Sequence, residues 1–329
     1  MSHQTYEREP FREINMRIVR QVMEEAYENG LEVTGQGRVA DYIPELAKAD
    51  RNAFGICAIR PDGTVLDFGD THTRFSMQSI SKVISLAVAL KYLGARKVFS
   101  CVMAEPSGDA FNSIIKLDTR SNLPFNPMIN AGAIEVVSLL ADLFTFEEML
   151  EITREFCMDD GIVLNEAVYR SEAETGDRNR AIAYLLKSKG VLAADPDKTT
   201  DLYFRLCSLN VSARSLAGLG LVLSCDGTNP FSGEHLINPG YVRRVKSIMF
   251  TCGLYDASGE FGLKVGVPAK SGVGGGIVCS VKGPMGIGLY GPSLDEHGNS
   301  VAGVTAMEHI SHLLHLHVFD YRWQEMIRD

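Results

Sequence analysis

The run Val83-Ile84-Ser85-Leu86-Ala87-Val88-Ala89-Leu90-Lys91-Tyr92-Leu93, closed by Gly94, constrains this chain more than any other stretch. At helical spacing it is apolar on nearly every face, so it predicts a buried helix ending on a glycine C-cap. At its head stands Phe75-Ser76-Met77-Gln78-Ser79-Ile80-Ser81-Lys82. Ser79 falls in the first turn, where the positive end of the helix dipole favours charge developing on its hydroxyl. Lys82, three residues on, shares that face. A lysine drawn into an apolar surround loses its charge more easily and can take a serine proton, so Ser-x-x-Lys is a workable pair of nucleophile and base.

The pair is not unique in the chain. Ser113-Ile114-Ile115-Lys116 repeats the spacing, but Asp118 and Ser121 follow it and no long apolar helix stands behind it, so it reads as incidental. For Ser79 the plain alternative is a helix-initiating serine beside a solvated lysine. Other segments have to decide between the two.

A length of 329 residues supplies ample core for two domains or one large one. A net charge of −9, with no lysine or arginine cluster, argues against a nucleic-acid partner. The opening Met1-Ser2-His3-Gln4-Thr5-Tyr6-Glu7-Arg8-Glu9 lacks the apolar core of a signal peptide, and no apolar run reaches membrane-spanning length. Seven cysteines, scattered singly with no Cys-x-x-Cys, fit reduced core thiols and a cytoplasmic location.

Taken in order, Phe11 to Asn29 predicts an amphipathic helix stopped by Gly30. Val39-Ala40-Asp41-Tyr42-Ile43-Pro44 reads as an extended loop, because the proline restricts the residue before it. Ala53 to Arg60 and Thr64 to Phe68 flank Pro61-Asp62-Gly63, a hairpin signal. From Gly94 to about Gly240 the pattern is mainly helical. The loop from Asn122 to Ala133 opens a helix, Thr145-Phe146-Glu147-Glu148 is a capping box, and Asp177 is placed to cap the helix ending near Gly190. Further helices fit Thr199 to Leu209, Ser212 to Ser224 and Pro239 to Thr251. Phe261 to Val265, Gly276 to Val281 and Gly286 to Tyr290 read as strands, and Val301 to Val318 as a final helix.

Strands at both ends with helices between them predict an α+β fold: an antiparallel sheet built from both chain ends, flanked by helices, with an inserted helical lobe. One catalytic unit over residues 1–329 is expected, its sheet lobe about 11–78 plus 250–329 and its helical lobe about 79–249. A small ligand would bind in the cleft between the lobes.

Three more features carry chemistry. Lys270-Ser271-Gly272 opens a strand and leads into Val273-Gly274-Gly275-Gly276. Beside a nucleophile, such a strand edge offers a backbone N–H to an oxyanion, and small residues let substrate approach closely. Ser171-Glu172-Ala173-Glu174-Thr175-Gly176-Asp177-Arg178-Asn179 reads as an acidic loop that could hold a substrate's ammonium and carboxylate. His309, His312, His315 and His317 drift around the last helix instead of sharing one face, so packing or surface roles are expected and no metal site. Asp159-Asp160-Gly161 is likewise too short for a calcium loop.

The order Ser-x-x-Lys, asparagine-bearing loop, acidic loop, Lys-Ser-Gly is that of the serine β-lactamases and penicillin-binding proteins. Within that superfamily the chain resembles the bacterial single-domain glutaminases from about Phe11 to Val318. The resemblance rests on Val39–Pro44, Met77–Lys82, Asn126–Ile134, Thr175–Asn179 and Pro268–Val273. It implies the multi-layer serine β-lactamase-like fold and hydrolysis of L-glutamine to L-glutamate and ammonia through an acyl-enzyme. Ser79 matches the nucleophile, Lys82 the base, and Tyr255 a tyrosine that relays a proton to departing ammonia. The backbone N–H groups of Ser79 and Val273 match the oxyanion hole, and Tyr42, Asn130, Glu172, Asn179 and Tyr203 the residues holding the amino acid. Glu172 suits the α-ammonium; Asn130 and Asn179 suit the α-carboxylate. The resemblance further implies a homo-oligomer, often a tetramer. No cofactor is called for. A penicillin-recognising hydrolase or transpeptidase shares the motif order, and a catalytically silent amino-acid sensor could share the scaffold. The absence of a signal segment weighs against the first, and the intact Ser79, Lys82 and Tyr255 set against the second.

Overall fold

The computed structural model describes residues 15–106 and 122–320. Strands β1 (Gly55–Ile59) and β2 (Val65–Gly69) form the expected hairpin, and β6 (Ala269–Ser271), β7 (Gly276–Val281) and β8 (Met285–Tyr290) come from the last third of the chain. They join in one antiparallel sheet of order β2-β1-β8-β7-β6, so the N-terminal β1 pairs directly with the C-terminal β8, Gly55 opposite Tyr290. A second, three-stranded sheet sets β5 (Leu209–Val211) between β3 (Phe75–Ser76) and β4 (Val163–Leu164).

Side chains alternate across the larger sheet with the period of two that pleating imposes. Ile56, Ala58, Ile277, Cys279, Ile287 and Leu289 face a core completed by helices α1 (Met16–Val33) and α11 (Val301–Leu313). Cys57, Ile59, Val278 and Tyr290 face the other way, into the main core. That core contains α2 (Ser81–Val98), α3 (Asn130–Ala141), α4 (Phe146–Cys157), α5 (Glu166–Thr175), α6 (Asp177–Ser188), α7 (Pro196–Cys207), α8 (Ala213–Ser224) and α9 (Pro239–Cys252) in whole or in part. Helix α8 lies flush on the sheet because β8 presents glycines there. A Cβ on Gly288 would sit 1.9 Å from the Ala213 carbonyl oxygen, and one on Gly286 2.0 Å from that of Ala217.

The buried helix is where the sequence puts it. Every α2 residue from Ser81 to Leu90 is buried, and Gly94 breaks the helix with φ +77° before a last turn to Val98. The Thr145 capping box forms, and Ser212 caps α8. Several expectations need correction. Helix α1 runs through Gly30 to Val33. Phe261 to Val265 is not a strand, since Ser258–Lys264 forms helix α10, fastened by a Glu260–Lys264 pair at 2.7 Å. Asp177 is the first residue of α6 and caps nothing there; Gly176 is the N-cap. The acidic loop is a junction between two helices, with Glu172 in the last turn of α5 and Asn179 in the first turn of α6. Ser113 and Lys116 lie outside the described residues. No described helix is long and apolar enough to cross a membrane, and all seven cysteines are unpaired.

Candidate active site

The nucleophile's position is set by a short strand and a tight turn. Phe75 and Ser76 pair with Val211 and Asn210, and the Met77 N–H continues that ladder to the Leu209 carbonyl at 2.8 Å. Gln78 then turns the chain with φ +49°, and the 3-10 turn Gln78–Ile80 runs directly into α2. Ser79 therefore sits one turn before the α-helical segment, buried at its N-terminus, where unpaired N–H groups and the dipole favour an anion. The Ser81 hydroxyl donates to the Gln78 carbonyl at 2.8 Å and closes the turn.

Lys82 is fully buried. Its Nζ donates to Asn130 Oδ1 at 2.7 Å and to the Met128 carbonyl at 3.2 Å. Burial disfavours the cation and lowers its pKa to about 8. Two acceptors match the two hydrogens of a neutral amine, which leaves its lone pair unspent. Asn130 is held in turn: its Nδ2 donates to Asn179 Oδ1 at 3.0 Å, and the Tyr203 hydroxyl donates to its Oδ1 at 3.4 Å. Gly132 lets this end of α3 close on the preceding loop, since a Cβ there would meet the Asn126 carbonyl oxygen at 1.9 Å.

The opposite wall comes from the C-terminal third. Tyr255 adopts φ +54°, and its hydroxyl lies beside the Ser79 hydroxyl, the Ser271 hydroxyl and the backbone N–H of Val273. Burial pushes that phenol up to about 12, partly offset by the Ser79 hydroxyl. Lys270 lies behind Tyr255, 4.3 Å from its ring centroid, and donates to the carbonyls of Gly253 (2.9 Å) and Ser271 (2.6 Å). Burial and the neighbouring Lys82 hold the Lys270 pKa well below the usual lysine range. Gly274 brings this strand against the nucleophile's own: a Cβ there would fall 2.3 Å from the Ser76 carbonyl oxygen.

At the far end Glu172 is buried and aimed inward. Its Oε1 accepts from Gln78 Nε2 at 3.1 Å and from the Tyr42 hydroxyl at 3.2 Å. Burial raises its pKa, with Gln78 and Tyr42 opposing. The one Tyr42 hydroxyl hydrogen is shared with Gln78 Oε1 at 3.0 Å; the residue is 53 % exposed while its hydroxyl points into the site. The eight site residues expected besides Ser79 fall into three groups around it: Tyr42 with Glu172; Lys82 with Asn130, Asn179 and Tyr203; and Tyr255 with Val273. Gln78 was missed, although it joins the first group to the nucleophile. Its one visible signal is an amide flanked by Met77 and Ser79 ahead of an apolar helix. Nor does any pattern mark Asn299, which accepts from the Ser271 hydroxyl at 2.6 Å, and the Lys270-Ser271-Gly272 motif by itself assigns Lys270 and Ser271 no role.

Three of the four C-terminal histidines make hydrogen bonds, and His312 is exposed. His309 meets Glu25 at 3.3 Å and Asn29 at 3.2 Å, His315 meets Asp320 at 2.8 Å, and His317 meets the Gly262 carbonyl at 3.0 Å. Among the described residues no three histidine, cysteine or acidic side chains gather as metal ligands would.

The family model described as Glutaminase matches residues 37–319. Glutaminase 2 of Clostridium perfringens is 48 % identical over 301 residues, covering 90 % of this chain and 99 % of its own length. A glutaminase of Alkaliphilus oremlandii is 49 % identical over 287 residues, 86 % of this chain and 94 % of its own. Among solved structures, the probable glutaminase ybaS superposes with a TM-score of 0.89 at 36 % identity, covering 93 % of this chain and 99 % of that one. The Bacillus subtilis glutaminase YbgJ, solved as a covalent complex with 5-oxo-L-norleucine formed from 6-diazo-5-oxo-L-norleucine, superposes with a TM-score of 0.82 at 37 % identity over 90 % of this chain and 98 % of its own.

Proposed function

The chain belongs to the glutaminase family of amidohydrolases, with its serine β-lactamase-like fold, and from that premise we propose that it hydrolyses L-glutamine through an acyl-enzyme on Ser79. The observation that carries the mechanism is the buried Lys82, three residues along from Ser79 at the head of α2, its Nζ held by Asn130 Oδ1 and the Met128 carbonyl and its proton loosened by burial. Ser79 Oγ attacks the γ-carboxamide carbon while its proton passes to Lys82 Nζ, whose neutral form has a lone pair to receive it. The carbonyl oxygen gains negative charge, and the Ser79 and Val273 N–H groups are its donors. The C–N bond then breaks. Its electron pair stays on nitrogen, which takes a proton from Tyr255, and Tyr255 recovers one from the Lys82 ammonium. Water enters along the reverse path and releases glutamate. That a related glutaminase forms a covalent complex with a reactive norleucine derivative supports a nucleophile of this kind.

The rest of the site suits a zwitterion. Glu172, costly to keep ionised alone, regains a partner when the α-ammonium arrives, with Tyr42 and Gln78 fixing its direction. Asn130, Asn179 and Tyr203 receive the α-carboxylate. A substrate shortened by one methylene, such as asparagine, would leave its amide away from Ser79. Nucleophile, proton carriers and oxyanion donors all come from the chain, so no cofactor is required. A homotetramer, a cytoplasmic location consistent with seven unpaired cysteines, and the division into sheet lobe (11–78 plus 250–329) and helical lobe (79–249) belong to the same reading.

Ammonia and glutamate release by wild type and Ser79→Ala, with asparagine and a chromogenic β-lactam alongside, tests it. Glutamine turnover is expected in the wild type and a loss of ~10³-fold or more in the variant, as for removal of a nucleophile. Undiminished release by Ser79→Ala would end the acyl-enzyme account. Hydrolysis or capture of the β-lactam without glutamine turnover would point to the penicillin-recognising chemistry instead.

A further inference from the structure

Behind Tyr255 the hydrogen bonds run in one direction. Asn299 is fully buried, and its Nδ2 donates to the Leu254 carbonyl at 3.4 Å. A carbonyl can only accept, so the amide nitrogen faces Leu254 and Oδ1 faces Ser271. The Ser271 hydroxyl donates to that Oδ1 at 2.6 Å and so commits its only hydrogen. The Ser271 oxygen is left with lone pairs alone to offer on its other side. The same bracket holds the turn that carries the tyrosine. The Ser271 N–H donates to the Gly253 carbonyl at 3.2 Å, beside Lys270 Nζ on the same oxygen at 2.9 Å. Tyrosine at φ +54° is costly and persists only where its surroundings over-determine it.

Resting on the reading of Tyr255 as the proton carrier, we propose that Asn299 and Ser271 are positioning residues that fix the Tyr255 hydroxyl and reserve its proton for the departing nitrogen. With its hydrogen on Asn299, Ser271 cannot donate to a Tyr255 phenolate, so nothing on that side draws the phenol proton off early. The Ser271 oxygen is a weak resting acceptor. As the C–N bond breaks, the far more basic nitrogen outcompetes it and takes the proton, and Lys82 returns one to Tyr255.

The test separates leaving groups. Tyr255→Phe, Ser271→Ala and Asn299→Ala are compared with the full-length wild type in acylation by L-glutamine and by the γ-p-nitrophenyl ester of L-glutamate, whose phenolate departs without a proton. Acylation by the ester is read from the p-nitrophenol burst. Each variant is expected to slow acylation by glutamine ~10- to 100-fold and by the ester less than ~3-fold, because only the amide needs an acid. If Tyr255→Phe slows both substrates alike, the proton-carrier reading itself falls. If Tyr255→Phe is selective for the amide but Ser271→Ala and Asn299→Ala slow both substrates equally, or neither, the positioning role is overturned while that reading stands.

Discussion

Lysine in water is a cation at neutral pH and no use as a base; Lys82 differs because the fold has removed its solvent. The neutral form is the competent one, and its fraction rises with pH up to about 8 and then saturates. We expect kcat/KM for glutamine to climb ~10-fold per pH unit below that value and to level above it, in a pH profile of the purified protein. A profile flat from pH 6 to 9 would remove Lys82 from the proton path. Ser79 and Lys82 are legible because they stand three residues apart across the head of one helix, where spacing fixes geometry. Tyr255 and Val273, more than 170 residues away, became legible only through resemblance, since no local pattern encodes a long-range approach. Asn299 stayed hidden for a related reason: nothing in Gly298-Asn299-Ser300 tells a buried amide from a turn residue.

Helix α3 shows what an element can carry besides its functional end. Asn130 opens it, and in its second turn Glu135 is fully buried with no hydrogen-bond partner for either carboxylate oxygen among the described residues. Burial lifts that pKa from 4.5 to about 8. Between these values the folded chain binds a proton that the unfolded chain has released. The contribution of Glu135 to stability is therefore full below pH 4.5 and declines as pH rises toward 8. We expect Glu135→Gln to abolish that decline, so that stability relative to wild type improves by roughly 1–3 kcal/mol from pH 5 to pH 8.5, read from urea unfolding at both pH values. A difference that does not change with pH would show that Glu135 keeps its ordinary pKa.

Element type was most legible where composition and period agreed, as in α2 and the β1–β2 hairpin. It failed where a short segment satisfied two patterns. Phe261-Gly262-Leu263-Lys264-Val265 alternates like a strand, but Phe261 to Lys264 complete the helix begun at Ser258, with Phe261 packed into the core and an exposed Glu260–Lys264 pair adding a little. The segment around Gly176 looked like a loop because glycine and charge cluster there. In fact a Cβ at Gly176 would meet the Phe204 ring at 2.3 Å, so the glycine marks close packing between helices.

For the molecule as a whole, the pairing of β1 with β8 has a consequence in time. Synthesis delivers the β1–β2 hairpin early, yet its partner strand ends at Tyr290, more than 200 residues later. At ~5–20 residues per second that interval is roughly 10–45 s, during which one hairpin edge waits with its backbone groups unpaired. Ribosome-stalled chains ending near residue 270 should be cut by a broad-specificity protease within 55–69, and chains released in full should resist there. Equal resistance in both would mean that the hairpin finds cover before β8 exists. Because β1 is covered only by strands made long after it, the protein's most exposed moment falls during its birth, and whatever shields nascent chains has to hold this one until β8 has been made.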